Sequence, residues 1–126
     1  MSLREAIISE LKSKVTSVSG RVYEAFLAPS KAVPPFLTVK FASQRGSNIS
    51  FACSQVVEIY MHCDLTSFVT LDILEASVIS TLNKEIKKDA NTYLLEWTPT
   101  GAGDFKDDDR KLIDRVVTFS AVVVHG

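Results

Sequence analysis

The final stretch of the sequence constrains the fold most, because it holds the longest strand pattern in the chain. Residues 112–124 are rich in β-branched and aromatic side chains, which suit the pleated surface of a sheet. One face of this strand carries Val117, Phe119, Ala121 and Val123, and the other carries Val116 and Val122. We therefore predict a sheet strand whose second face is more apolar than a solvated surface and is a candidate subunit contact.

An acidic, glycine-led segment, Gly101–Lys111, runs into this strand. Its aspartates lack the rhythm of oxygen ligands, central glycine and closing glutamate that an EF-hand calcium loop requires. It is also a poor phosphate loop, because Lys106 stands where a third glycine is needed and a strand follows instead of a helix. Two interpretations remain: a solvated, mobile loop, or a contact loop that becomes ordered against a partner.

Length and charge exclude several classes of protein. A chain of 126 residues with 46% hydrophobic and 23% charged residues is expected to form one globular domain spanning residues 1–126. A net charge of −1 gives no long-range attraction to nucleic acid or to an anionic membrane, so neither is an expected partner. The charged N-terminus does not resemble a secretory signal, and we expect the protein to stay in the cytosol.

Helical and strand patterns alternate along the chain. The capping-box spacing of Ser2 and Glu5, followed by apolar residues at helical intervals, predicts a helix over Leu3–Val15. The predicted strands are a short one at 21–24 and longer ones at 36–42, 55–63, 92–98 and 112–124. Each strand offers one apolar face and each helix one stripe. The pattern therefore predicts an α+β, two-layer sandwich: an antiparallel or mixed sheet of about four strands with two helices packed on one face.

The second predicted helix carries a lysine cluster and one misplaced carboxylate. Apolar residues at helical spacing run over 68–86, and Lys84, Lys87 and Lys88 would complement the negative end of the helix dipole. Glu75 falls inside the apolar arc, where an unpaired carboxylate is costly. We expect Glu75 to form a structural ion pair or to lie at a subunit contact. A catalytic carboxylate is the alternative, but the chain offers no clear second group.

Catalytic, cofactor-binding and metal-ligating residues are not predicted. Cys53, His62, Cys63 and His125 lack the paired short spacings of a zinc site. His62 and Cys63 are adjacent on a strand and point to opposite faces, so they cannot form a thiol dyad. We expect a surface histidine beside a core cysteine, and no enzymatic activity.

The order of these elements resembles a known family. The N-terminal helix leading to 20–23, the proline-rich connection into 35–39, the strand at 57–59, the helix at 68–82 and the close at 109–124 are similar to the tail-terminator, or tail-completion, proteins of long-tailed bacteriophages and prophages. The resemblance rests on hydrophobicity and element order, not on signature residues. It implies a non-enzymatic structural protein that forms a ring, commonly hexameric, on the head-proximal end of the tail tube, where it stops tube growth and presents a surface to the head connector.

The resemblance also implies partners and contact segments. The partners would be further copies of the chain, the tail-tube protein and the head-connector or head-completion protein, during assembly in the bacterial cytoplasm and then in the virion tail. The candidate contacts are the turn at 44–54 and the loop at 101–111, specifically Arg45, Ser47, Asn48, Asp104, Phe105, Lys106, Asp107, Asp108, Asp109 and Arg110, with Glu75 as a possible subunit-contact carboxylate. The alternative function is a monomeric binding module that uses the same loops and a sheet face containing Lys40, Glu58 and Tyr60.

Overall fold

A computed structural model describes residues 3–24, 32–46, 53–64, 68–88, 91–98, 104–107 and 111–125. Two helices, α1 (Leu3–Lys14) and α2 (Phe68–Leu82), match the predicted ones closely. The strands are β1 (Val22–Glu24), β2 (Phe36–Gly46), β3 (Cys53–Asp64), β4 (Glu85–Lys88), β5 (Asn91–Thr98), β6 (Asp104–Asp107) and β7 (Leu112–His125). The predicted α+β class is confirmed.

Helix α1 buries one apolar side, and a left-handed turn follows it. Ala6, Ile7 and Leu11 are buried on that side. A short 3₁₀ turn follows the helix. It ends at Ser19 and Gly20, which have φ angles of 50° and 77°. Because glycine adopts positive φ without steric cost, this pair redirects the chain into β1.

The seven strands form one mixed sheet in the order β1-β2-β3-β7-β5-β4, and β6 also pairs with β7. Only β1 and β2 are parallel. The prediction of about four strands was therefore too low. The main omissions, β4 and β6, are four residues long and mostly charged, which is too short and too polar for a strand pattern to be visible in the sequence.

Strand β7 lies in the interior of the sheet and pairs with three other strands. Its residues 112–122 pair with β3, and the opposite edge pairs with β5 at residues 118–125 and with β6 at residues 112–115. Strands β5 and β6 therefore follow one another along the same edge of β7. The prediction that the longest strand pattern is a sheet member is confirmed.

Both helices share a single hydrophobic core with one face of the sheet. Val117, Phe119 and Ala121 of β7 are buried in that core, as their spacing predicts. The core also takes in Ile7 and Leu11 of α1, Leu71, Leu74 and Val78 of α2, and Val57, Ile59 and Met61 of β3. The alternate residues of β2, β3 and β7 lie on the second face, which we call the open face because both helices pack on the other one.

The lysine cluster after α2 does not lie on the helix. Helix α2 ends at Leu82 with no basic residue in its last turn, and Lys87 and Lys88 belong to β4. The dipole explanation for the cluster was therefore wrong. Ile86 is still a core residue, but it reaches the core from β4, where alternation and not helical spacing turns it inward.

Candidate assembly surface

A guanidinium group held by three carboxylates lies where β6, β7 and α2 meet. Arg115 of β7 donates from Nε to Asp104 Oδ1 at 2.5 Å and from a terminal nitrogen to Asp104 Oδ2 at 3.1 Å. Its other terminal nitrogen lies 2.7 Å from Asp72 Oδ1 and 3.2 Å from Glu75 Oε2. Asp72 and Glu75 belong to α2 and Asp104 to β6, so one side chain joins three elements. We call these four residues the Arg115 cluster.

The Arg115 cluster follows from where β7 places its arginine. Arg115 shares a face with Ile113 and Val117, which are both 3% exposed, and its own side chain is 15% exposed. A charge at the margin of a core needs partners, and the five N–H groups of a guanidinium can bind several carboxylates at once. The hydrogen bonds that Arg115 donates to Asp104 are the largest cause that raises the pKa of Arg115, which stays charged at every relevant pH. The same bond lowers the pKa of Asp104.

Glu75 forms an ion pair with Arg115. Its side chain is 36% exposed, so it lies at the edge of the apolar side of α2 and also reaches solvent. Three carboxylates around one guanidinium leave two negative charges in excess when all are ionised. The structure thus supplies an ion pair within the chain, and a role for Glu75 in a subunit contact stays a prediction.

The predicted contact loop contains a strand. Asp104, Phe105, Lys106 and Asp107 form β6 and pair with residues 112–115 of β7, so the prediction of an irregular loop across these four residues was wrong. Asp104 lies directly opposite Arg115 in this pairing, and opposite charges at facing positions stabilise strand pairs. That charge match and the extra length of β7 beyond β5 are the signals that could have revealed β6. The candidate contacts Asp108, Asp109 and Arg110 lie outside the described residues.

The predicted turn after β2 is also placed differently. Strand β2 continues to Gly46, and Arg45 pairs with Ser54 of β3, so Arg45 belongs to the hairpin arm. The pairing register shifts between Phe41 and Gln44, which marks a bulge. The candidate contacts Ser47 and Asn48 lie outside the described residues.

Sequence reasoning missed an apolar surface on α2. At 100° per residue, seven positions of this helix fall within an arc of about 140° that faces away from the core. One of them, Ile79, is half-buried and packs against the core. The other six are exposed, and we call them the outer arc: Phe68, Val69, Asp72, Ile73, Ala76 and Ser80. Phe68, Val69 and Ile73 are 52%, 72% and 63% exposed. Phe68 was expected on the core-facing side. The core instead takes the opposite arc, so α2 is apolar nearly all round.

A row of hydrogen bonds crosses three strands on the open face. Asp114 Oδ1 of β7 lies 2.6 Å from His62 Nδ1, and His62 Nε2 lies 2.9 Å from Thr38 Oγ1 of β2. In the neutral tautomer Nδ1–H donates to Asp114 and Nε2 accepts the Thr38 hydroxyl proton. The imidazole also stacks on Phe36, with ring centroids 4.4 Å apart. We call these residues the His62 row.

The His62 row corrects one expectation and limits another. The His62 side chain is only 12% exposed, so it is not the surface histidine that was expected. An aspartate, a histidine and a hydroxyl in sequence have the order of a nucleophilic triad. Thr38, however, is 8% exposed and lies within a paired strand, where a substrate cannot approach its hydroxyl. The row is suited to binding strands together.

The thiol of Cys63 is a packing group. It is 1% exposed in the core, as expected, and burial is the main cause that raises its pKa to about 11. A thiol reacts as a thiolate, so Cys63 is a poor nucleophile at neutral pH.

Ligand sites are weakly developed in the described part of the chain. Its histidines, cysteines and carboxylates contain no group of three that could hold a metal ion. None of its helices combines the length and apolarity needed to cross a membrane. A depression of about 520 Å³ follows α1 between Glu5 and Ser13, but it is an open surface furrow. Enclosed pockets, not furrows, are typical of small-molecule sites.

Comparison with known proteins is informative at the level of structure. No protein family model matches the sequence, and none of the curated proteins matches it. Among solved structures, the fold is similar to a chain in a structure described as the virion of a native gene transfer agent (GTA) particle. The TM-score is 0.71, the match covers 99% of this chain and 96% of that one, and 16% of the residues are identical. At this identity the likeness shows the fold alone.

Proposed function

We propose that this protein is a structural component of a phage-like particle and acts as a tail terminator. Copies of the chain would form a ring, with six as the expected number, on the head-proximal end of the tail tube. The ring would stop tube growth and present the surface to which the head connector binds. Assembly would take place in the bacterial cytoplasm, and the ring would stay in the virion tail.

The whole-chain likeness to a virion chain carries this proposal. The match spans nearly all of both chains, so the complete architecture is shared and not one common helix–strand unit. The family resemblance in the sequence points to the same kind of particle by a separate route.

The surface chemistry supports an assembly role. The outer arc of α2 exposes three large apolar side chains on one helix, a feature typical of protein contacts. The Arg115 cluster fixes α2 and β6 relative to each other, and a fixed relative position favours rigid docking. The buried Cys63 thiol and the inaccessible Thr38 hydroxyl are consistent with a non-enzymatic role.

The test combines the purified protein with tail-tube protein from the same genome. We expect light scattering to give a mass several times the 13.9 kDa of one chain, at least when tubes are present. Electron microscopy is expected to show the protein at one end of each tube, and tubes are expected to stay shorter when it is present during their growth. A monomer that neither binds tubes nor limits their length contradicts the proposal. If a small ligand then raised the melting temperature of that monomer, the binding-module alternative would be favoured.

A further inference from the structure

We propose that the outer arc of α2 binds an amphipathic helix of another protein, one whose apolar row is flanked by basic residues. The proposal names the kind of partner and depends neither on the ring nor on the tail tube. Three properties of the arc point to this partner: the spacing of its exposed residues, the size of its side chains and its charge.

The middle of the outer arc has the spacing of a helix-packing seam. Its four residues, which we call the α2 seam, are Val69, Ile73, Ala76 and Ser80. They follow one another at intervals of four, three and four residues, as do the positions that meet in a coiled coil. At 100° per residue they lie within about 60° of one another. The opposite side of α2 is buried in the core, so the seam faces outward.

The side chains of the α2 seam suit a second helix. Val69 and Ile73 are 72% and 63% exposed and supply apolar surface. Ala76 and Ser80 are small, so a second helix can approach closely and fill the space above them with its own large apolar side chains. An extended strand fits less well, because the side of a helix offers no partners for the strand's backbone N–H and C=O groups.

Charge selects the kind of helix that binds. Helix α2 contains Asp72 and Glu75 but no lysine, arginine or histidine. Asp72 borders the α2 seam, and its side chain stays 68% exposed although it binds Arg115. The Arg115 cluster sets one guanidinium against three carboxylates. A basic residue beside the apolar row of the partner is therefore attracted to this part of the arc.

A second copy of α2 is a poorer partner than a basic helix. Pairing two copies seam to seam would bring two acidic clusters to one interface, and neither helix has a basic side chain to offset them. Nucleic acid and anionic membranes are disfavoured by the same negative charge. A basic amphipathic helix supplies both the apolar row and the opposite charge.

The test uses the whole protein and two designed helical peptides. Both peptides carry leucine at heptad positions a and d, and the flanking positions e and g are lysine in one peptide and glutamate in the other. Fluorescence anisotropy of the labelled peptides, at concentrations where each is monomeric, measures binding. We expect the lysine peptide to bind about tenfold more tightly than the glutamate peptide, with a smaller difference in high salt. Equal affinities, or no binding of the lysine peptide, would overturn the proposal.

Substitutions separate the α2 seam from the rest of the surface. The seam variant is Val69→Ser with Ile73→Ser; both positions are exposed, so the variant is expected to fold, which circular dichroism and thermal melting check. Val33→Ser is the matched control, because Val33 is 61% exposed and precedes β2. We expect the seam variant to bind the lysine peptide about tenfold more weakly and the control to keep its affinity. Equal affinities of the seam variant and the control would contradict the proposal.

Cross-linking of the wild-type protein gives a second test that needs no variant to fold. A photoreactive group on the lysine peptide is expected to attach to residues of the outer arc, and attachment only to other elements would overturn the proposal. Self-association that is lost in the seam variant, without peptide binding by the wild type, would show that the arc joins copies of this chain and would also overturn it. These measurements contain no tail tubes, so failure of this proposal is distinguishable from failure of the terminator role.

Discussion

Asp114 and Arg115 are neighbours on β7 with almost equal exposure, 19% and 15% of their side chains, yet they do different work. Asp114 points to the open face and joins the His62 row, which binds three strands of the sheet to one another. Arg115 points to the helix side and joins the Arg115 cluster, which binds the sheet to α2 and β6. Successive residues of a strand point to opposite faces. Asp114 therefore stabilises contacts within the sheet, and Arg115 stabilises contacts between the sheet and α2.

Among substitutions in these two sites, removal of Arg115 is expected to destabilise the protein most. Arg115→Ala leaves three carboxylates close together without a cation at the margin of the core. Because these carboxylates are partly solvated, we expect a loss of about 2 kcal/mol in the free energy of unfolding, below the value for a fully buried pair. Urea denaturation measures it. Arg115→Lys, which keeps the charge but not the planar fork, is expected to lose about half as much. Equal losses in the two variants would show that the charge contributes nothing without the fork geometry.

Breaking the His62 row is expected to cost somewhat less. Asp114→Ala removes the acceptor from His62 Nδ1 and leaves a nearly buried donor without its partner, at a cost of about 1 to 2 kcal/mol. The conservative control is Asp114→Asn, whose amide oxygen can still accept that bond. An Asp114→Ala variant as stable as the wild type would mean that solvent replaces the carboxylate without cost.

Cys63 can report which layer opens in each variant. It is buried on the helix side next to His62, and its pKa of about 11 keeps it protonated at pH 8. In a Cys53→Ser background, we expect a thiol reagent to label Cys63 about tenfold faster in Arg115→Ala than in Asp114→Ala, because Arg115 binds α2 and Asp114 does not. Equal labelling rates at matched stability would show that both sites open only with global unfolding.

The Arg115 cluster is also expected to respond to acid. The pKa of Asp104 is lower in the folded protein than its usual value of about 3.9, so this carboxylate stabilises the fold above that pH. The contribution is lost as the pH falls through the folded-state pKa. We therefore expect Asp104→Asn to be less stable than the wild type at pH 6 and equally stable near pH 2, as measured by urea midpoints. A constant gap across this range would exclude ionisation as its cause.

Glu75→Gln is expected to have the smallest effect. Arg115 keeps Asp72 and the two bonds to Asp104, and Glu75 is already 36% exposed, so the loss should stay below about 0.5 kcal/mol. The matched variant Asp72→Asn neutralises the carboxylate that accepts a shorter bond from Arg115 on the same helix. If Glu75→Gln changes self-association but not melting, the predicted subunit-contact role of Glu75 gains support.

Much of the fold could be read from regular patterns. Strand β7 was predicted from alternation, and α1 from the spacing of Ile7 and Leu11, because each pattern reflects burial of one face of one element. Strand β6 could not be read in this way. Its four residues are mostly charged and show no apolar alternation, and they are held by pairing with residues 112–115 of β7 and by the bond from Arg115 to Asp104.

The candidate site, like the fold, was visible in the sequence only in part. The sequence marked Glu75 as a carboxylate in need of a cation, but its spacing could not identify Arg115, which lies 40 residues away. The outer arc of α2 was missed for a related reason: an almost uniformly apolar helix gives periodicity little contrast, so the side that faces the core is ambiguous until neighbouring elements are placed.

By itself, the sequence determined the class of fold, two amphipathic or apolar helices beside a sheet, and the burial of one face of β7. It did so because propensity and hydrophobic alternation act over a few neighbouring residues. Only the tertiary structure decided the strand order and the assignment of Asp114 and Arg115 to different networks. These depend on contacts between residues distant in the chain, whose geometry is set when the layers pack. The pairing of residues 104–107 with β7 was also visible only in the structure, because four mostly charged residues carry no strand pattern.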